Sequence, residues 1–279
     1  VPVGSISRQD IRLALEVIKN RPLRTRSPFS RMTLGECIDF DVPEEDLISS
    51  ASVKKHLKIY SSFFKVFLTN EKDILEKAPT EGIKYEVQEN KGGHYSRPEM
   101  QRFVEKLNTC TDWRRDYFLT LIYTGARRSE IAAIRKEHIR KDDETGRWYI
   151  LIAGGKTKHA QRQIPVSKTI EDLILARIKG LKAGDLVFGD LPAYEQIAVD
   201  WQSLMAQCDV PKFDEFEQKR MIHALRHSFI SEAVAKTQNA ALVQFVVGHG
   251  RPQSLGITAR YFHRPPLQDL LPVVDCIKW

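Results

Sequence analysis

Apolar residues recur at helical spacing in the first third of the chain, which predicts helices over 8–20 and 53–69. The stretch 77–95 that follows lacks sustained periodicity and is rich in glycine and charge, as is typical of a linker. Ser96 and Glu99 then have the spacing of a capping box, which predicts that a helix and a new domain begin there. We therefore expect one domain over 1–80, a linker over 81–95 and a second domain over 96–279.

The pattern of the second domain begins with buried helices. The apolar run from Tyr117 to Tyr123 predicts a helix in the interior, which ends at Thr124-Gly125, and another helix begins at Ser129. From Ser167 onward the spacing of apolar residues is again mostly helical. The first domain is also helical, so the chain as a whole is expected to be mainly α.

A short β-sheet interrupts the helices of the second domain. Residues 147–153 are rich in β-forming side chains, Gly154-Gly155 interrupts them, and 163–166 resume an extended pattern. Lys156 is therefore expected near the tip of a β-hairpin. The expected fold class is mainly α with a small antiparallel β-sheet, that is, a helical domain followed by a mixed α/β domain.

Composition narrows the class of protein. The 279 residues are 42% hydrophobic and 28% charged, a balance typical of a globular protein with a full core. The four cysteines form no CxxC pair, which argues against a disulfide framework and a zinc site. No apolar run reaches the length of a membrane span, and no signal peptide is evident, so we expect a soluble, cytoplasmic protein. The chain begins at Val1 rather than Met, which suggests a processed form or a fragment.

Positive charge is concentrated in the second domain. Residues 1–90 hold 14 basic and 14 acidic side chains, whereas residues 91–279 hold 29 and 22, so the whole net charge of +7 lies there. Such a field attracts polyanions, although a charge of this size is also ordinary for solubility. The composition is therefore compatible with a nucleic-acid partner without requiring one.

Two arginines are the first candidates for chemistry. Cleavage of a phosphodiester builds negative charge on its oxygens, and the planar donor fork of guanidinium matches phosphate geometry. Arg127 and Arg226 fit that need. His223 precedes Arg226 by three residues, so the two side chains share a face of a helix. Taken alone, each of these arginines is as readily explained by a surface position or an ion pair.

Two histidines and a tyrosine complete the candidates. His227 is an alternative imidazole, but it projects from another part of the helix. His249 follows a glycine at the end of an apolar helix and is equally typical of a capping or core histidine. Tyr261 lies among basic residues and prolines, which argues modestly against a core position.

Taken together, and in this order along the chain, the segment 124–130, Lys156, the segment 223–226, Gly248-His249 and Tyr261 resemble the tyrosine recombinases of the phage-integrase type. The resemblance covers nearly all of 96–264. The helical first part is similar, with weaker signal, to the core-binding domain with which the family clamps DNA. The resemblance implies that the second domain is the catalytic one, followed by a C-terminal tail.

The resemblance also implies roles for the candidates. Tyr261 would be the nucleophile and form a 3′-phosphotyrosyl bond. Its phenol, with an ordinary pKa of about 10, requires activation by His223 or the arginines. Lys156 would be the general acid for the leaving 5′ oxygen, with Lys158 as its rival. The catalytic set is Arg127, Lys156, His223, Arg226, His249 and Tyr261.

Other residues are expected to support that set. Glu130 would orient an arginine or lysine rather than react. Further contacts to DNA are expected from Lys54, Lys55, Lys58, Arg128, Lys158 and Arg162. The loop 250–260 is longer than is usual in the family, which leaves open whether Tyr261 acts in its own subunit or in a neighbour.

The resemblance implies double-stranded DNA as partner, and a homo-tetramer on two DNA sites, since strand exchange uses four active sites. It leaves room for accessory DNA-bending proteins and implies neither cofactor nor metal, because bond energy is conserved in the phosphotyrosyl intermediate. The apolar stretch Leu267–Trp279 could dock on a neighbouring subunit or pack on its own domain.

Two alternatives share part of these features. An enzyme resembling type IB topoisomerases would use the same site to nick and religate DNA without joining two sites. A sequence-specific DNA-binding module with a decayed site would bind without cleaving. The presence of all six polar residues of the catalytic set argues against decay.

Overall fold

The computed structural model describes residues 1–24, 29–39, 42, 46–87, 92–154, 161–248 and 265–279. The chain divides into two compact units, Val1–Asn90 and Lys91–Trp279. The division falls inside the segment 81–95 that the sequence predicts as a linker. No helix of the described residues is long and apolar enough to cross a membrane.

Unit 1 is helical, as the sequence predicts. Helix α1 spans Arg8–Lys19 and begins with a capping box, in which Ser7 and Asp10 exchange hydrogen bonds. Helix α2 spans Leu34–Asp39, and α3 spans Ser50–Ser61. The chain then continues as a π-helical segment over Ser62–Glu71, a wider helix with i→i+5 hydrogen bonds that apolar spacing alone does not distinguish from an α-helix.

The core of unit 1 lies between α1, α3 and the π-helical segment. Its buried residues are Ile11, Leu15, Ile18, Val53, Leu57, Phe64, Leu68 and Ala78. Ala78 belongs to the irregular stretch that follows the helices, so this part of the chain is packed onto unit 1 and is not an extended spacer.

Unit 2 opens with the predicted capping box: the backbone N–H of Ser96 donates to Glu99 Oε2 at 2.8 Å. Helix α4 spans Arg97–Asn108. Helix α5 spans Trp113–Thr124, is buried over its last two turns and ends at Gly125 in the left-handed conformation. The predictions of a buried helix and of its end at Thr124-Gly125 are confirmed. Helix α6 is short, Arg128–Ala132.

A three-stranded antiparallel sheet follows, with order β1-β2-β3. Strand β1 spans Ile139–Lys141, β2 spans Trp148–Ile152 and β3 spans Arg162–Pro165. In the hairpin of β2 and β3, Ile152 pairs with Arg162. The predicted hairpin and the mainly helical fold class are confirmed, whereas β1, only three residues long, is not apparent in the sequence pattern.

The rest of unit 2 is helical. Its helices are α7, Glu171–Ile178; α8, Tyr194–Gln207; α9, Ile222–Thr237; α10, Ala240–Val247; and α11, Leu267–Asp275. One continuous core joins them to the sheet and to α4 and α5, with Phe103, Phe118, Trp201 and Phe229 among its buried aromatic residues.

The first half of helix α9 is held by Tyr95, which lies just before α4 at the start of unit 2. The backbone N–H of Tyr95 donates to Ser228 Oγ at 2.8 Å, and the Tyr95 hydroxyl donates to the Met221 carbonyl at 3.1 Å. Trp201 donates its indole N–H to the same hydroxyl at 2.9 Å. The segment that enters unit 2 is thus part of the scaffold that holds α9.

The C-terminal helix α11 packs on its own unit. Leu270, Val273, Val274 and Ile277 are buried in the core of unit 2, against β3, α9 and α10. Of the two packings that the sequence leaves open, the structure has the one within the chain.

Candidate active site

Arg127 is placed by the turn between α5 and α6. Gly125 ends α5 with φ of +59°, and a Cβ there would lie 2.3 Å from Cδ1 of Phe229. Only glycine fits this position, because both the conformation and the space exclude a side chain. Two residues later Arg127 precedes the first turn of α6, and its backbone N–H donates to Glu130 Oε2 at 2.8 Å.

Glu130 binds two arginines at once. Its Oε1 accepts from Arg127 Nη1 at 2.8 Å and from Arg162 Nη1 at 3.0 Å, and its Oε2 accepts from Arg162 Nη2 at 2.7 Å. Burial alone would raise the pKa of Glu130, but the hydrogen bonds and charges of Arg162 and Arg127 lower it to about 2. The carboxylate is therefore charged throughout the physiological range.

Arg162, the first residue of β3, is buried. Its side chain is 5% exposed, and Nε donates to the Val246 carbonyl at 2.7 Å. The guanidinium also packs on Gly248, where a Cβ would lie 2.7 Å from Nη1. The residue that the sequence suggests as a DNA contact is thus surrounded by protein in the structure.

Arg226 is the most deeply buried charge of this group. The residue is 2% exposed, and Nη1 donates to the Gly125 carbonyl at 2.7 Å. Its Nη2 has no hydrogen-bond partner among the described residues. Burial, and then the charges of Arg127 and Arg162, lower the pKa of Arg226 to about 9. A positive group held under these conditions favours an anion beside it.

His223 lies one turn before Arg226 on α9, with an exposed side chain. Its ring is 4.9 Å from the ring of His227, which meets it edge to face. His227 is half-buried, and burial, together with the charges of Arg226 and His94, lowers its pKa. The lowered pKa favours the neutral imidazole of His227, and the exposed ring of the pair is that of His223.

A pocket with a volume of about 380 Å³ lies beside these groups in unit 2. Arg127, His223 and Arg226 line it together with Trp201. Arg128, expected from the sequence as a DNA contact, also lines the pocket, where it lies over the ring of Tyr194 with Cζ 3.3 Å from the centroid. The Tyr194 side chain is half exposed at the first residue of α8, and no local sequence pattern predicts its contact with Arg128, 66 residues away in the chain.

Four of the predicted site residues lie outside the described residues: Lys156, Lys158, His249 and Tyr261. The described chain ends at 154 and resumes at 161 in the β2–β3 hairpin, and it ends again at Gly248 after α10. Arg127, Arg162 and Arg226, with Glu130, form what we call the arginine cluster. The Gly248 carbonyl accepts from Arg127 Nη2 at 3.4 Å, so the residue that is bonded to His249 contacts this cluster.

The three lysines suggested as DNA contacts belong to unit 1. Lys54, Lys55 and Lys58 lie on α3, and all three side chains are exposed. Within the described ranges, no group of three or more His, Cys, Asp or Glu side chains could hold a metal ion.

Comparison with known families and structures gives a consistent result. Residues 96–266 match the Phage integrase family. No curated protein sequence matches the chain. The match covers α4 to α10 with the arginine cluster, and the chain belongs to the phage integrase family, whose members are tyrosine recombinases.

Solved structures with a similar fold have low sequence identity to this chain. One is the XerH site-specific recombinase bound to palindromic difH substrate, a post-cleavage complex, with TM-score 0.61 and 19% identity over 96% of this chain and 69% of that chain. Another is the Tn1549 transposon integrase in complex with a circular intermediate DNA, with TM-score 0.61 and 14% identity over 96% and 84%. A third is a lambda integrase tetramer bound to a Holliday junction, with TM-score 0.60 and 14% identity over 90% and 66%.

Proposed function

We propose that this protein is a site-specific DNA recombinase that cleaves and rejoins DNA through a 3′-phosphotyrosyl intermediate on Tyr261. The observation that carries the proposal is the buried guanidinium of Arg226, which keeps one nitrogen without a partner among the described residues beside Arg127. Burial of an unsatisfied cationic donor is costly unless a ligand completes it. The scissile phosphate is the ligand that the family membership suggests.

In this mechanism the arginines bind the non-bridging oxygens of the phosphate. Arg226 offers Nη2 from the pocket wall, and Arg127 offers the donors that Glu130 and Gly248 do not use. Both positive charges stabilise the pentacoordinate transition state, in which negative charge on these oxygens is greatest. No metal ion is needed for this charge stabilisation.

Tyr261 attacks phosphorus, and its phenol oxygen forms the new bond while the bond to the 5′ oxygen breaks. His223 accepts the phenol proton, and Lys156 donates a proton to the leaving 5′ oxygen. The 5′-hydroxyl of a partner strand then reverses these steps and releases Tyr261. His249 follows Gly248 directly and completes the set of donors around the phosphate.

The wider assembly follows from the same proposal. Strand exchange between two duplexes uses four active sites, so we propose a homo-tetramer on two DNA sites. The lambda integrase neighbour is a tetramer on a Holliday junction. In unit 1, the exposed side chains of Lys54, Lys55 and Lys58 bind phosphates of the double-stranded DNA, and in unit 2 Arg128 and Lys158 contribute further contacts. Accessory DNA-bending proteins are compatible with this arrangement.

The test is covalent capture. The protein is incubated with a pool of nicked duplexes whose central sequence is randomised, and adducts that survive denaturation are isolated, mapped by peptide mass and sequenced. We expect a phosphotyrosyl bond on Tyr261, absent in Tyr261→Phe and retained in Tyr149→Phe, a half-buried tyrosine of β2. DNA binding without an adduct would leave the DNA-binding module as the better description.

A second assay separates the recombinase from the topoisomerase alternative. The captured sequence is placed on two separate duplexes and on a supercoiled plasmid. Joining of the two duplexes, dependent on Tyr261, is expected of a recombinase. Relaxation of the plasmid without any joined product would identify a nicking and religating enzyme.

A further inference from the structure

We propose that Arg162 is a positioning residue of the cleavage reaction, which holds both partners of Arg127 in place without touching DNA. This inference rests on the proposed function, since Arg127 is the group whose position it sets. Arg162 lies on β3. Arg127 and its first partner, Glu130, lie at the start of α6, and its second partner, Gly248, follows α10. The contact therefore joins three distant segments of unit 2.

The first link runs through Glu130. Arg162 binds both carboxylate oxygens, with Nη1 3.0 Å from Oε1 and Nη2 2.7 Å from Oε2. This fork fixes the plane of the carboxylate as well as its position, which a single ammonium group cannot do. Glu130 in turn accepts from the backbone N–H and from Nη1 of Arg127, both at 2.8 Å.

The second link runs through the end of α10. Arg162 Nε donates to the Val246 carbonyl at 2.7 Å, and the guanidinium packs directly on Gly248, whose φ is +71°. The Gly248 carbonyl is the other acceptor of Arg127, from Nη2 at 3.4 Å. Both described acceptors of the Arg127 guanidinium are therefore in contact with Arg162.

The contact of Arg162 with Glu130 also affects the positive charge available to a phosphate. A carboxylate that bound Arg127 alone would cancel much of the positive charge offered to a phosphate. Here Glu130 is shared between two guanidiniums, so the cluster keeps net positive charge while the geometry stays fixed. With its side chain only 5% exposed, Arg162 supplies this charge from the interior and leaves the pocket surface to Arg127.

The experiment compares Arg162→Lys with Arg147→Lys. Arg147 is a matched control, because it binds the two oxygens of Asp275 at 2.8 and 2.9 Å and a backbone carbonyl at 3.0 Å, and it does not line the pocket. The rate of adduct formation is measured at saturating DNA of the captured sequence, with DNA affinity measured separately. A displacement of the order of 1 Å in a catalytic group costs about 100-fold in rate, so we expect Arg162→Lys to slow cleavage about 10- to 100-fold.

The same variant should leave DNA affinity within about two-fold of wild type, and Arg147→Lys should leave the cleavage rate unchanged. In an Arg127→Ala background, Arg162→Lys should cause no further loss of rate, because its effect passes through Arg127. A purely structural role would lower the folded fraction equally in both backgrounds. An equal further loss in the Arg127→Ala background, or an unchanged rate in Arg162→Lys, overturns the proposal.

If Arg162→Lys shows no cooperative thermal transition, the rate of adduct formation is measured in Glu130→Gln instead. This variant weakens the contact between Arg162 and Arg127 through Glu130 and leaves Arg162 in place. A normal adduct rate in Glu130→Gln then overturns the proposal. The two hypotheses fail differently. No adduct in the wild-type protein refutes the proposed function, whereas a normal adduct rate in these variants refutes only the positioning role.

Discussion

Arg226 donates from Nη1 to the carbonyl of Gly125 at 2.7 Å, and this bond ties α9 to the last turn of α5. Gly125 is separated from Arg127 by a single residue, so the bond also sets how close the two arginines lie. The buried guanidinium has only this described acceptor, and its neighbours Arg127 and Arg162 carry the same charge. The site is therefore assembled at some cost to the stability of the unliganded fold.

Replacement of Arg226 by methionine should separate stability from activity. Removal of the buried charge relieves its burial and repulsion, so we expect a melting temperature equal to or a few degrees above that of wild type, as buried charges replaced by apolar groups often give. Loss of the donor should slow adduct formation about 100- to 1000-fold. A strongly destabilised variant with a near-normal rate would contradict this account.

Gly125→Ala should destabilise unit 2. The added Cβ would meet the Phe229 ring at 2.3 Å and would stand at φ of +59°, so we expect a loss of about 2 to 4 kcal/mol in the free energy of unfolding. Gly146→Ala is the matched control, because Gly146 has φ of +66° and nothing within 4 Å. It should lose about 1 kcal/mol. Urea unfolding measures both, and equal losses would show that the ring contact is unimportant.

Glu130 should make stability depend on acid. Its folded pKa of about 2 lies below the ordinary value of 4.5, so the stabilisation is complete above about pH 4.5 and is lost as the pH falls toward 2. The shift corresponds to about 3 kcal/mol, to order of magnitude. The difference in unfolding free energy between wild type and Glu130→Gln should therefore shrink between pH 5 and pH 2. Urea unfolding at a series of pH values tests this, and a constant difference would refute it.

Arg128 should contribute to affinity more than to chemistry. It lies over Tyr194 at the rim of the pocket, where a DNA backbone would pass in the proposed complex. We expect Arg128→Gln to lower the slope of log affinity against log salt by about one, with a small change in cleavage rate at saturating DNA. Arg102→Gln, an exposed site on α4 that does not line the pocket, is the control. Identical slopes for the two variants would count against the contact.

Local signals explain which parts of the fold the sequence predicts well. Ser96 and Glu99 form their capping box within four residues, and the Thr124-Gly125 helix end needs only a glycine in the left-handed conformation. Strand β1 is too short for alternation to be detected. The π-helical segment has the same apolar spacing as an α-helix, so its hydrogen bonding could not be read from the pattern.

The candidate active site, like the fold, is predicted by the sequence only where local signals suffice. The sequence identifies Arg127 and Arg226 as candidates, but their convergence depends on the packing of α5 against α9, which no local pattern encodes. Arg162, one of the DNA contacts expected from the sequence, is instead buried in the structure. Its burial follows from Glu130 and the Val246 carbonyl, which are 32 and 84 residues away in the chain.

The folded core of unit 2 extends past the end of the family match, because the core includes α11. The match ends at residue 266, whereas Leu270, Val273, Val274 and Ile277 are buried with the rest of unit 2. A polypeptide trimmed at 266 would leave an apolar furrow along β3, α9 and α10 open to water. Surfaces of that kind promote self-association, so such a fragment should precipitate or oligomerise although every residue of the arginine cluster is present.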